Sequence, residues 1–339
     1  MGRVREIIKS IFETVIPSYR SIRRLENRVE ELYRLQSNRM DTLFWYGQST
    51  PEMSLLDTKK RFFQTMPKAE GTLRIIQLGS TCLLRRLKII SEKHNISFWL
   101  SFGTLLGAAR HEGFVPWDDD IDISMLRDDF ERFQEAVLDD EEITLKSFYH
   151  SGTKRYIFKL LYRGCDEFFW VDITIWDFAD VRPLGEAETW TGICAARENA
   201  YTEITRTLKH AHKKYGGEPV TAADDARIQA CFQKHRLTPP EQEYATHIYR
   251  GIDSIYLGGE TLLPVNDVFP LKKLAFEGDL YPVPAGYEQY LTYVYHYLDF
   301  PDRIAPWHIP LSASAAEQVE KYVRELGLVE EIQQMNHRA

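Results

Sequence analysis

Cysteine is scarce in this chain, and its four residues are not spaced for joint chemistry. Cys82, Cys165, Cys194 and Cys231 lie far apart, with no Cys-x-x-Cys pair and no histidine at ligand spacing. That argues against a structural zinc site and a disulfide framework, and leaves buried free thiols as the expectation. An N-terminal apolar core is also lacking. Val4, Ile7, Ile8, Ile11 and Phe12 are interrupted by Arg3, Arg5, Glu6, Lys9 and Ser10, unlike a signal peptide or the ~18 apolar residues of a membrane span. The expected location is cytoplasmic. Charge of one sign is modest, −8 over 339 residues, and 44% apolar with 27% charged residues excludes disordered, collagen-like and disulfide-scaffold classes. Such a chain holds about two domains, or one large domain with an appendage, and no nucleic-acid partner is expected.

The charge that is present is unevenly placed. Residues 1–39 carry nine Arg or Lys and five Glu, a balance of +4 that leaves −12 for residues 40–339. Val4, Ile7, Ile8, Ile11, Phe12, Val15 and Ile16 form one stripe of an amphipathic helix that Pro17 should end. Its basic face suits an anionic membrane, which would make the protein peripheral on the inner face. The alternative is packing on the protein body or self-association. Ile22, Leu25, Val29 and Leu32 then follow a 3-4-3 spacing, the start of a short coiled coil. Residues 40–70, with Pro51 and Pro67, read as a connector. The body runs from 71 to 312, including a helical insertion of unknown role at 185–262, and 313–339 reads as a C-terminal helix.

Between Leu73 and His94, Ile75, Ile76, Leu78, Leu83, Leu84, Leu87 and Ile90 recur at helical spacing, and Asn95 is a suitable stop. Residues 96–102 alternate and are rich in aromatics, which predicts a strand. Gly103-Thr104 then turns into a short helix over Leu105–Arg110. At that helix start, Gly103 and Thr104 would offer N–H groups and a hydroxyl to a phosphate. In Trp117-Asp118-Asp119-Asp120-Ile121-Asp122-Ile123-Ser124, Asp120 and Asp122 should project from one face of a strand while Ile121 and Ile123 turn to the core. Neighbouring carboxylates repel, and a shared proton or a divalent cation relieves them. A hard, oxygen-liganded ion such as Mg2+ fits. A calcium loop is disfavoured by Ile123 where glycine is needed and Asp129 where glutamate is needed, so a solvated acidic turn is the alternative. In a second predicted strand, Phe168–Ile175, Asp172 breaks an apolar run. Buried there it needs a cation or donor, which a shared metal site supplies.

The stretch Phe98-Trp99-Leu100-Ser101-Phe102-Gly103-Thr104, continuing through Arg110 and Gly113-Phe114-Val115-Pro116-Trp117 to Asp120-Ile121-Asp122, resembles the signature of the LicD family, which includes fukutin-type phosphosugar transferases. Val171-Asp172-Ile173 is similar to that family's third acidic motif. Phe269-Pro270-Leu271, Phe276-Glu277-Gly278 and Pro282-Val283-Pro284 resemble its C-terminal block, so the resemblance spans about residues 75–310. One departure is Val294-Tyr295-His296-Tyr297 before Pro301, where the family often has Tyr-Gly-Asp-Tyr. The resemblance implies an α/β, nucleotidyltransferase-like fold, a small mixed sheet flanked by helices. It also implies transfer of a phospho-alcohol, phosphocholine foremost, from a CDP-activated donor to a hydroxyl of a cell-surface glycan.

On that reading Asp120, Asp122 and Asp172 are catalytic and hold one or two Mg2+ ions, or Mn2+, on the diphosphate, and Asp122 takes the acceptor proton. Arg110 and His111, after the Gly-Thr turn, and Lys159, in the strand-like run Tyr156–Leu160, join Gly103 and Thr104 as substrate-binding candidates. Surface pairing with acids is the alternative for Arg110 and Lys159. Transfer of ribitol- or glycerol-phosphate, nucleotidyl transfer from an NTP, and a non-enzymatic scaffold role are the rival expectations.

Overall fold

A computed structural model describes residues 42–150, 155–207, 220–253, 262–295 and 312–338, with isolated positions between 28 and 40. The expected 4–16 stripe, and Ile22 and Leu25 of the expected coiled coil, lie outside the described residues. The chain forms two compact units that divide between Met66 and Pro67. Among the described residues no helix is long and apolar enough to cross a membrane.

The first unit corrects the expected connector. Residues 42–48 are helical, and helix α1 (Leu55–Gln64) starts where Ser54 Oγ accepts the Asp57 N–H at 3.1 Å. Phe44, Trp45 and Phe62 meet edge to face, with ring centroids 4.9, 5.3 and 5.4 Å apart, and Trp45 and Phe63 are buried. Aromatics that look isolated along the chain thus form a small core between two helical segments.

In the second unit, helix α2 (Gly71–His94) stops as expected at Asn95, whose backbone is left-handed at φ 53°. Strand β1 is only Trp99–Leu100, shorter than expected, because the chain turns at Ser101 into helix α3 (Phe102–His111). Gly103 and Thr104 therefore sit inside the first turn of α3 rather than ahead of it. Next come β2 (Ile121–Leu126), α4 (Arg127–Ala136), β3 (Ile143–His150), β4 (Arg155–Tyr162) and β5 (Cys165–Ala179).

The segment 185–262 holds helices α5 (Glu186–Thr207) and α6 (Ala222–His235). It also holds strand β6 (His247–Arg250), which pairs with the end of β5 and so belongs to the sheet rather than to a purely helical insertion. After β7 (Leu263–Pro264) and α7 (Val265–Val268), β8 (Lys272–Phe276) and β9 (Asp279–Val283) form a hairpin that leads to α8 (Tyr287–Tyr295). The expected single C-terminal helix is two, α9 (Ala313–Glu325) and α10 (Val329–Arg338), separated by Gly327 at φ 68°. Cys82, Cys165 and Cys231 are buried as expected, whereas Cys194 is exposed.

The sheet is mixed and flanked by helices, and its seven strands make it larger than the small sheet expected. Its strands run β1-β2-β5-β4-β3, with β6 beside the far end of β5 and β7 beside β6. β2 and β5 pair in parallel and the other neighbours antiparallel. Ile121, Ile123 and Met125 stand in register with Val171, Ile173 and Ile175, and all six are buried. Helix α2 lies so close to β5 that a Cβ on Gly79 would come within 2.5 Å of the Phe169 ring.

Two buried ion-pair networks tie distant segments together. Arg127, at the start of α4, grips Asp177 of β5 and Asp253 beyond β6 at 2.5 to 3.0 Å. Arg74 of α2 holds Glu277, in the β8–β9 turn, through two bonds of 3.0 and 2.8 Å.

Candidate metal centre

Strand pairing sets three expected site residues in one row. Asp122 of β2 stands opposite Asp172 of β5, and Asp172 stands opposite Lys159 of β4. Paired strands lie about 4.8 Å apart, so the alternation that buries Ile121, Ile123, Val171 and Ile173 carries both carboxylates and the ammonium to the other face. Asp120, one residue before β2, completes the group. Asp120, Asp122 and Asp172 each present a carboxylate oxygen, and these oxygens lie within 4.8 Å of one another. Asp118, Asp119 and Asp120 form a second such group that shares Asp120. Hard oxygen donors gathered this closely suit a divalent cation such as Mg2+ or Mn2+, so the residues present fit the expected metal.

The charges act on one another strongly. Burial, followed by Asp120, Asp122 and Asp119, pushes the Asp118 carboxyl well above its usual range. From α8, the Tyr295 phenol is pushed up by burial and then by Asp122 and Asp118. Opposing charge comes from Lys159, whose Nζ lies 3.0 Å from Asp172 Oδ1.

Helix α3 braces the acidic strand. The Asp122 N–H donates to Thr104 Oγ1 at 2.7 Å, and the Ser101 N–H donates to the Asp122 carbonyl at 3.1 Å. Thr104 is only 1% exposed, so its hydroxyl anchors β2 to α3 instead of opening toward a phosphate. Gly103 is a spacer beside the acids. A Cβ there would lie 2.6 Å from Asp118 Oδ2 and 3.7 Å from Asp122 Oδ2.

Arg110 and His111 occupy the last turn of α3, roughly 10 Å along the axis from Gly103 at 1.5 Å per residue. Burial, then the neighbouring Arg110, pushes His111 down to about 4, so the expected cation is a neutral imidazole near pH 7. The structure thus gathers Gly103, Asp120, Asp122, Lys159 and Asp172, buries Thr104 beneath them, and sets Arg110 and His111 at the opposite end of α3.

Other residues at the centre escaped the sequence reading. Asp118 was visible only as part of an acidic run. Its carbonyl accepts from Gln77 Nε2 at 2.8 Å, and Gln77 Oε1 in turn accepts from Arg74 at 3.2 Å, so α2 fixes the loop that enters β2. Phe102 has φ 45°, a left-handed backbone that costs a bulky residue roughly 1–2 kcal/mol. Its ring lies 4.6 Å from the Arg250 guanidinium. Nothing local around Arg250 announces that position, because it is reached only through the pairing of β6 with β5.

Residues 95–208, about a third of the chain, match the family described as LicD/FKTN/FKRP, nucleotidyltransferase domain. That segment is similar to the LicD family's nucleotidyltransferase domain. The clustered acids, Gly103 and Lys159 all fall inside the matched LicD segment, whereas Arg250, Glu277 and Tyr295 lie beyond it. Among relatives, the chain is 50% identical over 62 residues to the lipopolysaccharide cholinephosphotransferase LicD of Haemophilus influenzae, covering 18% of this chain and 23% of that protein. It is 51% identical over 67 residues to an uncharacterized protein of Rickettsia typhi, covering 19% and 22%. It is 38% identical over 55 residues to the human ribitol 5-phosphate transferase FKRP, covering 14% and 11%. The aligned stretch spans less than a quarter of the length of each of these relatives.

Proposed function

We propose that this LicD-domain protein is a metal-dependent phosphotransferase that moves phosphocholine from CDP-choline to a hydroxyl of a cell-surface glycan, such as a lipopolysaccharide, capsule or teichoic acid. The carrying observation is the convergence of Asp120, Asp122 and Asp172 within 4.8 Å on one face of the sheet. The choline donor is supported by the name of the Haemophilus influenzae relative. A second reading, transfer of ribitol phosphate, is supported by the likeness to human FKRP.

Asp120, Asp122 and Asp172 would hold Mg2+ or Mn2+, which when bound neutralises the diphosphate and the departing CMP. Asp122 sits on a backbone fixed by Thr104 and Ser101, so its carboxylate is a positioned base for the acceptor proton. As the acceptor oxygen forms its bond to the donor phosphorus, the bond from that phosphorus to CMP breaks. Burial, followed by Asp120 and Asp122, pushes the Asp118 carboxyl above its usual range, which favours its neutral form beside the other acids. Gly103, lacking a Cβ, lets the Asp118 carboxylate pack against the start of α3.

The test is incubation of the purified protein with CDP-choline, CDP-ribitol, CDP-glycerol, CTP or ATP, following CMP and pyrophosphate. CMP release from CDP-choline that requires a divalent cation and stops with EDTA supports the reading. Release from CDP-ribitol alone favours the second. Pyrophosphate from CTP or ATP would overturn both in favour of nucleotidyl transfer.

A further inference from the structure

The row of charges does not end at the acids. Lys146 of β3 stands opposite Lys159, so four adjacent strands present Asp122, Asp172, Lys159 and Lys146 side by side. Like charges directly opposite across a strand pair repel, and here each lysine has its own carboxylate. Lys146 Nζ lies 2.6 Å from both oxygens of Asp166, and Lys159 Nζ lies 3.0 Å from Asp172 Oδ1. Rings also hold Lys159 in place. Its Nζ is 4.1 Å from the centroid of Trp170 and 5.8 Å from that of Phe148, both on the same face of the sheet, and the side chain is 18% exposed. The ammonium therefore has a fixed station beside one of the three carboxylates that fit a divalent cation.

Building on the metal reading above, we propose that Lys159 is the internal counter-ion of the metal centre. It occupies Asp172 in the metal-free protein, competes there with the divalent cation and so weakens metal binding, and it is not a ligand for the donor diphosphate. The argument is one of charge and place. A metal ion held by Asp120, Asp122 and Asp172 meets the positive charge of Lys159 about one strand spacing away, and the aromatic walls restrain the lysine from swinging out to water. Lys146, on β3 and one strand further from the acids, is paired with Asp166 and offers an internal control.

The experiment is Mn2+ binding to the full-length protein, by calorimetry and by the paramagnetic resonance of free Mn2+, without donor or acceptor. Lys159→Met keeps the aliphatic stem over Trp170 and removes the charge. It should tighten the Mn2+ Kd on the order of tenfold. It should also lower the metal-free Tm, with Mn2+ then raising Tm further than in the wild type. Lys159→Gln removes the same charge with a different shape and guards against a packing defect. Lys146→Met should leave the Kd within about twofold, since its charge is more distant and more screened.

An unchanged Kd in both Lys159 variants overturns the proposal. A weakened Kd also overturns it, making Lys159 an orienting group for Asp172, and equal tightening in Lys146→Met reduces the effect to net charge. A wild type that binds no Mn2+ defeats the metal reading and this inference together. If the wild type binds and only the variant comparison fails, the metal reading stands alone.

Discussion

At the scale of single residues, the room for a single Cβ decides what Gly103 does. A Cβ at that position falls 2.6 Å from Asp118 Oδ2, and a carboxylate can yield only by moving within the acid cluster. Gly103→Ala should therefore fold with nearly unchanged circular dichroism and lose turnover by roughly tenfold or more, as a modest displacement of positioned groups does. The loss should appear in kcat. A rise in KM alone would instead mean that position 103 contacts the donor diphosphate. Asp120→Asn, Asp122→Asn and Asp172→Asn each remove carboxylate charge without removing volume, and on the proposed function each should abolish turnover while leaving the fold intact. Near-normal turnover by any one of them with Mg2+ present would exclude that residue. The convergence of these acids was legible because a two-residue alternation on a strand needs no tertiary information. The role of Thr104 was not legible, because it depends on α3 beginning one turn earlier than residue patterns indicate. Nor was the neutral state of His111, which follows from burial.

At the scale of elements, the β8–β9 hairpin is tied to α2 through the buried Arg74–Glu277 pair and the more exposed Arg85–Asp279 pair. The Glu277 side chain is only 2% exposed, and Arg74 satisfies it from α2 while the Phe114 N–H donates to it at 3.2 Å. Arg74→Met would leave that carboxylate buried with Lys68, itself 42% exposed and 3.5 Å away, as its remaining cation. The expected cost is about 3–5 kcal/mol, read from urea midpoints. The pH dependence has two parts. Burial alone would raise the Glu277 pKa, but the hydrogen bond and charge of Arg74 hold it below the usual glutamate range. Its contribution is thus complete above the unfolded value and is lost as pH falls through the folded one. His111, lowered from 6.5 to about 4, acts at higher pH. Between those values the unfolded chain binds the proton that the folded chain refuses, so stability falls as pH drops from 6.5 toward 4. His111→Gln should flatten that window and leave the more acidic limb, whereas Glu277→Gln should flatten the limb below about 4.5. Helix α2 and its stop at Asn95 could be read from local pattern and cap chemistry. The sheet membership of β6 could not, because four residues acquire meaning only by pairing with β5.

At the scale of the whole molecule, the LicD-family match accounts for the acids and leaves the basic arm unexplained, and the charge asymmetry of the chain bears on that arm. Residues 1–39 carry +4 against −12 for the remainder, and of their described positions Val29 and Leu32 are 64% and 52% exposed. If the 4–16 stripe lies in a bilayer interface, its apolar face supplies burial, while Arg3, Arg5 and Lys9 supply attraction to anionic lipid that falls off over a Debye length of about 8 Å in physiological salt. Binding to anionic vesicles should then weaken as salt rises, and weaken further when those three residues are changed to glutamate. Deleting residues 1–39 removes neither the Trp45 and Phe63 core of the first unit nor any of the clustered acids. The truncated protein should therefore fail to sediment with anionic vesicles yet still release CMP with a soluble acceptor analogue. If it keeps vesicle binding but changes from an oligomer to a monomer in light scattering, the arm is an assembly helix and the attraction to lipid lies elsewhere.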